Sequence, residues 1–294
     1  MIVTLKNHTM TARIDSIGAQ LISLKSKSGT EYIWQRDPAH WKSSSPLLFP
    51  TVGNCRDGKY TLNGQIYSIP NHGFCWNADF AVSVLSEQEA SFILTDSPET
   101  RAHYPFAFHL KLTYALTEDG IRIHYTVTNP GTGPMYYQLG AHPGFNCPLH
   151  SGERFEDYVL EFEQEGTAGY HSYDLNRMEF NMNSYTPILD HAAVIPLTHE
   201  LFANDAIFFT DLRSKKVALK NQATGYGVEV SYPDFATVAF WTAAATKAPF
   251  LCVEPWNGSA IRSDEDDNFL NRHFLQKVES GESKEYQIWI KKIS

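Results

Sequence analysis

Positive charge is scarce in this sequence of 294 residues. The 24 lysines and arginines are outnumbered by 33 aspartates and glutamates, which gives a net charge of −9. Such a chain has no basic field that would attract the phosphates of nucleic acid or anionic lipid. The most apolar stretch, residues 237–254, is interrupted by Lys247 and Pro249 and is too short to cross a bilayer. We therefore expect neither nucleic acid nor a membrane as a partner.

Cysteine is also sparse, and its spacing is not that of a metal or redox motif. The four cysteines are Cys55, Cys75, Cys147 and Cys252. No pair has CxxC spacing. The first residues alternate in polarity and soon reach Asn7 and His8, unlike the apolar segment of a signal peptide. We expect a cytoplasmic location, in which the cysteines stay as thiols.

Helical periodicity is rare, whereas apolar and polar residues alternate repeatedly. This alternation predicts strands at residues 11–14, 20–26, 106–116, 121–129, 227–232 and 286–291. Asn63-Gly64 and Asp119-Gly120 separate such segments and predict hairpins, because these residue types tolerate positive φ. Short helices are expected only after Ser97-Pro98-Glu99 and in the acidic stretch after Ser263. The sequence predicts an all-β fold with antiparallel pairing of consecutive strands.

Residues 166–187 form the longest irregular region. They are polar and rich in tyrosine but lack the Gly/Ser or Pro density of a linker. We therefore interpret them as an excursion from one domain that spans residues 1–294.

Four segments place polar side chains beside aromatic ones. They are residues 71–76, 140–146, 204–208 and 252–258. This composition is typical of a sugar site, where aromatic faces stack on the ring while carboxylates, amides and imidazoles bind its hydroxyls. His142 and Glu254 each precede a proline, which favours an extended backbone at both residues. Other aromatic residues, among them Trp41 and Trp241, are assigned to the core.

A soft-metal site is an alternative use of the same segments. Cys75, Cys147 and Cys252 each lie within a few residues of a candidate histidine or glutamate. Free cysteine, however, is commonly a small buried hydrophobic residue, and the short fixed spacing of a structural zinc site is missing. We expect no bound metal.

Several motifs, taken in order, resemble the aldose 1-epimerase (galactose mutarotase) family, and most closely its LacX-like bacterial branch. They are GAQL at residues 18–21, PLLFPTVG at 46–53, HGF at 72–74, YPF at 104–106 and EPW at 254–256. The resemblance covers nearly the whole chain. It implies a large antiparallel β-sandwich with a sugar cleft on one concave sheet.

The resemblance also implies an activity, the interconversion of the α and β anomers of an aldohexose, and roles for seven residues. His142 matches the general acid and Glu254 the general base. The substrate-binding residues are His72, Asp205, Arg56, Phe74 and Trp256. Ring opening needs the C1 hydroxyl deprotonated and the ring oxygen protonated, which one carboxylate and one imidazolium can do. No cofactor is expected, because the sugar carbons keep their oxidation states.

Two other functions stay open at the level of sequence. The same chemistry on a hexose 6-phosphate would need convergent cations, and only Arg56, Lys59 and Arg262 lie near the motifs, with acidic residues beside them. A non-catalytic carbohydrate-binding protein would keep the aromatic residues without needing the acid–base pair. The presence of both His142 and Glu254 argues against that function.

Overall fold

Antiparallel strands make up nearly all of the regular structure. The computed structural model describes the whole chain, Met1–Ser294. The strands are β1 (Ile2–Lys6), β2 (Met10–Asp15), β3 (Gln20–Ser26), β4 (Leu47–Leu48), β5 (Lys59–Leu62), β6 (Gln65–Ser68), β7 (Ala81–Val84), β8 (Glu89–Thr95), β9 (His109–Leu116), β10 (Gly120–Thr128), β11 (Met135–Tyr137), β12 (Leu139–Ala141), β13 (Gly144–Asn146), β14 (Tyr158–Tyr170), β15 (Tyr173–Asp174), β16 (Glu179–Phe180), β17 (Thr186–Pro196), β18 (Ile207–Phe209), β19 (Lys216–Asn221), β20 (Gly227–Ser231), β21 (Thr237–Trp241), β22 (Phe250–Asn257), β23 (Gln276–Val278) and β24 (Ser283–Ile293). The one α-helix, α1, spans Pro98–His103, and short 3-10 helices lie at Arg56–Gly58, Cys75–Asn77, Phe155–Asp157, His199–Phe202, Ala244–Thr246 and Phe269–Asn271.

Two large sheets pack face to face, which confirms the expected β-sandwich. The larger sheet has nine strands in the order β17-β14-β19-β20-β24-β10-β9-β8-β7. The smaller has six, in the order β18-β21-β22-β12-β4 with β13 also paired to β22. Phe162 of the larger sheet packs against Phe240 of the smaller, with ring centroids 5.9 Å apart. Side chains of both sheets therefore share one apolar core.

The predicted hairpins form, although Gly64 and Gly120 are required at their turns for different structural reasons. Asn63 and Gly64 have φ of 51° and 78° and connect β5 to β6, as expected for a two-residue turn. Gly120 begins β10 after the second turn without a positive φ. A Cβ at this position would lie 1.9 Å from the carbonyl oxygen of Ile290 in β24. The close approach of the neighbouring strand therefore requires the glycine.

One of the two expected helices forms. Ser97 caps α1, because its hydroxyl accepts a hydrogen bond of 3.2 Å from the N–H of Thr100. The prediction of a helix in the acidic stretch after Ser263 is wrong. There the carboxylate of Glu265 accepts hydrogen bonds from the backbone N–H groups of Arg262 and His273, which hold the segment as a loop. None of the helices has the length and apolarity needed to span a membrane.

Strand β22 places side chains on both faces of the smaller sheet, one in the core and one on the opposite side. It is buried along its whole length, and successive side chains point to opposite faces. Leu251 and Val253 belong to the core between the sheets. Cys252 and Trp256 belong to separate clusters on the other face. The alternation places Glu254 on that second face.

Candidate active site

A cavity of about 390 Å³ lies on the face of the smaller sheet opposite the core. Its lining combines aromatic rings with two carboxylates, two histidines and neutral polar groups, and contains no lysine or arginine. The lining residues are Trp41, Ser43, Pro46, Leu48, Gly53, Asn54, Asn71, His72, Trp76, His142, Tyr173, Phe180, Asp205, Ala206, Trp241, Glu254, Trp256 and Ala260. Such a mixture fits a ligand with apolar ring faces and many hydroxyl groups.

A histidine and a glutamate meet at the wall of this cavity. Nε2 of His142 lies 3.1 Å from Oε2 of Glu254. Glu254 is on β22, and His142 lies between β12 and β13, which both pair with β22. The prolines that follow the two residues keep their backbones extended. The short distance is thus set by the pairing of neighbouring strands, which are rigid elements.

Burial shifts the pKa values of both Glu254 and His142. Glu254 is 1% exposed and His142 is 8% exposed. Burial, with the charge of Asp205 as the second cause, raises the pKa of Glu254 well above its usual value. Burial, with the charge of His72 as the second cause, lowers the pKa of His142 well below its usual value. Both shifts favour the neutral side chains, so Oε2 and Nε2 share one proton.

Two tryptophans orient the imidazole of His142. Trp41 stacks on it with ring centroids 4.9 Å apart, and Trp241 contacts it edge-on at 5.7 Å. The assignment of both tryptophans to the core is wrong, since both line the cavity. Trp241 could have been found from the alternation of β21, because Val238 and Phe240 face the core. Trp41 lies in a loop and has no such signal.

His72 is a fixed hydrogen-bond donor on the same wall. Its Nδ1 accepts a hydrogen bond of 3.0 Å from the N–H of Gly53, so in the neutral ring the proton is on Nε2. Burial lowers the pKa of His72 to about 4, which keeps the ring neutral near pH 7. Gly53 has a φ of +65°, and a Cβ there would lie 2.4 Å from Cα of Ala260. A glycine is therefore required where the backbone supports His72.

Asp205 and Trp256, two of the candidate substrate-binding residues, also line the cavity. Burial raises the pKa of Asp205, while hydrogen bonds from the Trp241 side chain and the Ala206 backbone oppose that shift. Nε1 of Trp256 is buried and has no hydrogen-bond partner within the protein. A carboxylate acceptor and an indole donor are thus available to a bound molecule.

Arg56 and Phe74 do not line the cavity. The guanidinium of Arg56 pairs with Asp267 at 2.7 Å and with Glu179 at 3.1 Å. Phe74 is half-buried and packs against the core, with its ring centroid 6.0 Å from that of Phe108. These two ion pairs neutralise the guanidinium of Arg56 outside the cavity, so we assign Arg56 no contact with a ligand.

The hairpin formed by β15 and β16 adds cavity residues that the sequence did not reveal. Tyr173 and Phe180 line the cavity from opposite strands of this hairpin, with ring centroids 5.2 Å apart. Arg56 binds Glu179, the neighbour of Phe180, and Asn54 accepts a hydrogen bond from the hydroxyl of Tyr173. The hairpin is thus fixed to the sandwich at the cavity rim. No local motif marks these residues, because they reach the cavity only through tertiary contacts.

Comparison with known proteins identifies the family. The family model described as aldose 1-epimerase matches residues 1–266. The chromosomal protein LacX of Lactococcus lactis subsp. lactis is 33% identical over 284 residues, which are 95% of this chain and 95% of LacX. A galactose mutarotase related enzyme from Lactobacillus acidophilus is 30% identical, with a TM-score of 0.94 over 100% of this chain and 98% of that one. A galactose mutarotase-like protein from Lactobacillus casei is 28% identical, with a TM-score of 0.92 over 100% of both chains. These findings confirm the resemblance seen in the sequence, and the chain belongs to the aldose 1-epimerase family.

Proposed function

We propose that the protein interconverts the α and β anomers of an unphosphorylated aldohexose by acid–base catalysed ring opening and closure. The observation that carries this proposal is the pair formed by Glu254 and His142, 3.1 Å apart on the wall of an aromatic cavity. The C1 hydroxyl and the ring oxygen of a pyranose are bonded to the same carbon. A base and an acid one hydrogen-bond length apart can therefore reach both oxygens of one sugar.

Each group transfers one proton in ring opening. When the shared proton lies on Nε2 of His142, the carboxylate of Glu254 takes the proton of the C1 hydroxyl, and Nε2–H donates to the ring oxygen. The bond between C1 and the ring oxygen breaks as the aldehyde C=O forms. Both side chains are then neutral, the state that burial favours. Rotation about the C1–C2 bond presents the other face of the aldehyde, and the reverse transfers close the ring as the second anomer.

Other lining residues fit the task of holding the sugar while the ring opens. The carboxylate of Asp205 is an acceptor for hydroxyl protons, and Nε2–H of His72 is a neutral donor. Trp41, Trp241 and Trp256 offer aromatic surface for the apolar face of the ring. Precise positioning matters because a proton moves only between correctly placed atoms.

The lining favours a free sugar over a hexose 6-phosphate. It contains Asp205 and Glu254 but no lysine or arginine. A phosphate dianion in this cavity would find no cation to pair with and would be repelled by either carboxylate in its charged form.

Anomer-exchange NMR with the purified protein tests the proposal. Glucose, galactose and their 6-phosphates are compared with and without protein. We expect faster exchange for at least one free hexose and unchanged exchange for both phosphates. Saturable binding without faster exchange would favour the non-catalytic function, and exchange of a 6-phosphate alone would overturn the choice of substrate class.

We also propose that the protein acts in the cytoplasm. The four cysteines are all free and buried, as suits a reducing compartment. Fractionation of cells that express the tagged protein tests the location, and recovery in the secreted fraction would contradict it.

A further inference from the structure

We propose that His142, Glu254 and Cys252 form a site at which zinc, or a cation of similar softness, inhibits the enzyme. The proposal rests on the proposed function in one respect, because two of the three ligands are the catalytic pair. It adds Cys252, a residue that plays no part in the proton transfers. Metal occupancy here would be inhibitory, not a requirement for activity.

The fold brings the three ligand atoms together. The sulfur of Cys252, a ring nitrogen of His142 and a carboxylate oxygen of Glu254 all lie within 4.8 Å of one another. Cys252 and Glu254 are two residues apart on β22 and therefore share a face. Zinc takes nitrogen, sulfur and oxygen ligands at about 2.0–2.3 Å, so tetrahedral ligands lie roughly 3–4 Å apart. Contraction of the cluster by about 1 Å would meet that geometry.

The ligands are available as well as close. Oε1 of Glu254 is buried without a hydrogen-bond partner, so the carboxylate has acceptor capacity left. Cys252 is fully buried and does not line the cavity, whereas His142 and Glu254 do. An ion entering the cavity therefore meets the acid–base pair first and takes the thiol as its third ligand. A fourth position stays on the cavity side, as in zinc sites with three protein ligands.

Binding follows a balanced exchange of protons. Zinc replaces the proton shared by Glu254 and His142 and the thiol proton of Cys252, so two protons leave as one ion binds. The imidazole lone pair and the carboxylate then hold the metal and cannot take or give the protons of a sugar. Zinc should therefore compete with the sugar. Magnesium should not inhibit, because it prefers oxygen ligands in octahedral geometry.

The first experiment measures binding directly on the full-length protein. Cobalt(II) serves as a spectroscopic substitute for zinc, and a thiolate-to-cobalt absorption band that zinc displaces is expected for the parent and for Cys147→Ala. Cys147 is equally buried and outside the cluster, so it is a matched control. The band should be missing in Cys252→Ala. Its absence in the parent, or its persistence in Cys252→Ala, would overturn the proposal.

The second experiment measures inhibition of anomer exchange, with each variant compared with its own rate in EDTA. Zinc should raise the apparent KM of the parent and of Cys147→Ala. For Cys252→Ala the inhibition constant should rise at least about tenfold, since even outer-shell groups contribute 10–100-fold to metal affinity. If Cys252→Ala does not fold, Cys252→Ser takes its place, and the cobalt spectrum of the parent still decides.

The outcomes separate the two proposals. Cobalt–thiolate binding without any anomer exchange would support the metal site and refute the proposed function. Rapid exchange without cobalt or zinc binding would refute the metal site alone. Loss of activity in EDTA that zinc restores would make the metal a cofactor and overturn its inhibitory role.

Discussion

Replacing Glu254 with glutamine tests the chemistry of the site while keeping its shape. Glutamine has nearly the same volume and can still accept a hydrogen bond from His142, but it cannot take a proton from the sugar. Glu254 is only 1% exposed, so water is not positioned to act in its place. We expect kcat to fall about 100-fold or more, with KM changed far less.

The magnitude follows from the two functions that glutamine removes. A positioned proton acceptor contributes typically 10²–10⁴-fold, which is roughly 2.7–5.4 kcal/mol of barrier. Glutamine also cannot form the shared-proton pair, so His142 loses the negative partner that would stabilise its protonated form. The acid is weakened together with the base. Two orders of magnitude is therefore the lower end of the expected loss.

Anomer-exchange NMR and thermal unfolding of the same samples provide the measurement. Glu265→Gln is the matched control, because the side chain of Glu265 is 1% exposed and that of Glu254 is 2% exposed. Glu265 pairs with Arg272 at 3.3 Å and does not line the cavity. The control should lose stability and keep the parent rate. If Glu254→Gln exchanges anomers at nearly the parent rate, Glu254 is not the base, and Asp205 becomes the next carboxylate to test.

Three further predictions concern pH, binding and the backbone. The pH profile of kcat/KM should be a broad bell. Burial lowers the pKa of His142, so the pair gains a second proton only at low pH, and raises the pKa of Glu254, so the pair loses its shared proton only at high pH. A narrow bell centred between the ordinary pKa values of glutamate and histidine would contradict this. Asp205→Asn should mainly raise KM, and a fall in kcat at unchanged KM would instead make Asp205 catalytic. Gly53→Ala should lower the free energy of unfolding by at least about 1 kcal/mol more than Gly29→Ala does, and should melt at a lower temperature. Both glycines have a positive φ, but only Gly53 lacks space for a Cβ. Equal melting temperatures would refute the steric reason.

His142 and Glu254 could be chosen as candidates from the sequence because part of their signal is local. His142 and Glu254 each stand before a proline and near aromatic residues, and no distant contact is needed to see that pattern. The strands were predictable for the same reason, as in β9, where buried side chains alternate with half-buried ones. Family resemblance then supplied the sandwich and the roles, which periodicity alone does not give.

The remaining parts of the site depend on contacts between distant residues. Trp41 and Trp241 meet at His142 only after the sandwich has formed. Arg56 was a candidate substrate-binding residue because of the family resemblance, but its guanidinium pairs with Asp267, which lies far along the chain. Sequence reasoning could identify the chemical groups at each motif. It could not determine which charges neutralise one another in three dimensions.

Strand β22 shows how the fold supports a site that is costly to build. Glu254 Oε1 and Trp256 Nε1 are buried on its cavity face without hydrogen-bond partners in the protein. Each such group costs about 1–3 kcal/mol. Leu251 and Val253, on the opposite face, contribute burial in the main core that offsets this cost. A register shift of one residue would exchange the two faces, so the pairing of β22 with β21, β12 and β13 fixes stability and chemistry together. Under the proposed function, hydroxyls of a bound sugar would satisfy the same unpartnered groups, so the polar atoms that weaken the free protein would be the ones that hold the substrate.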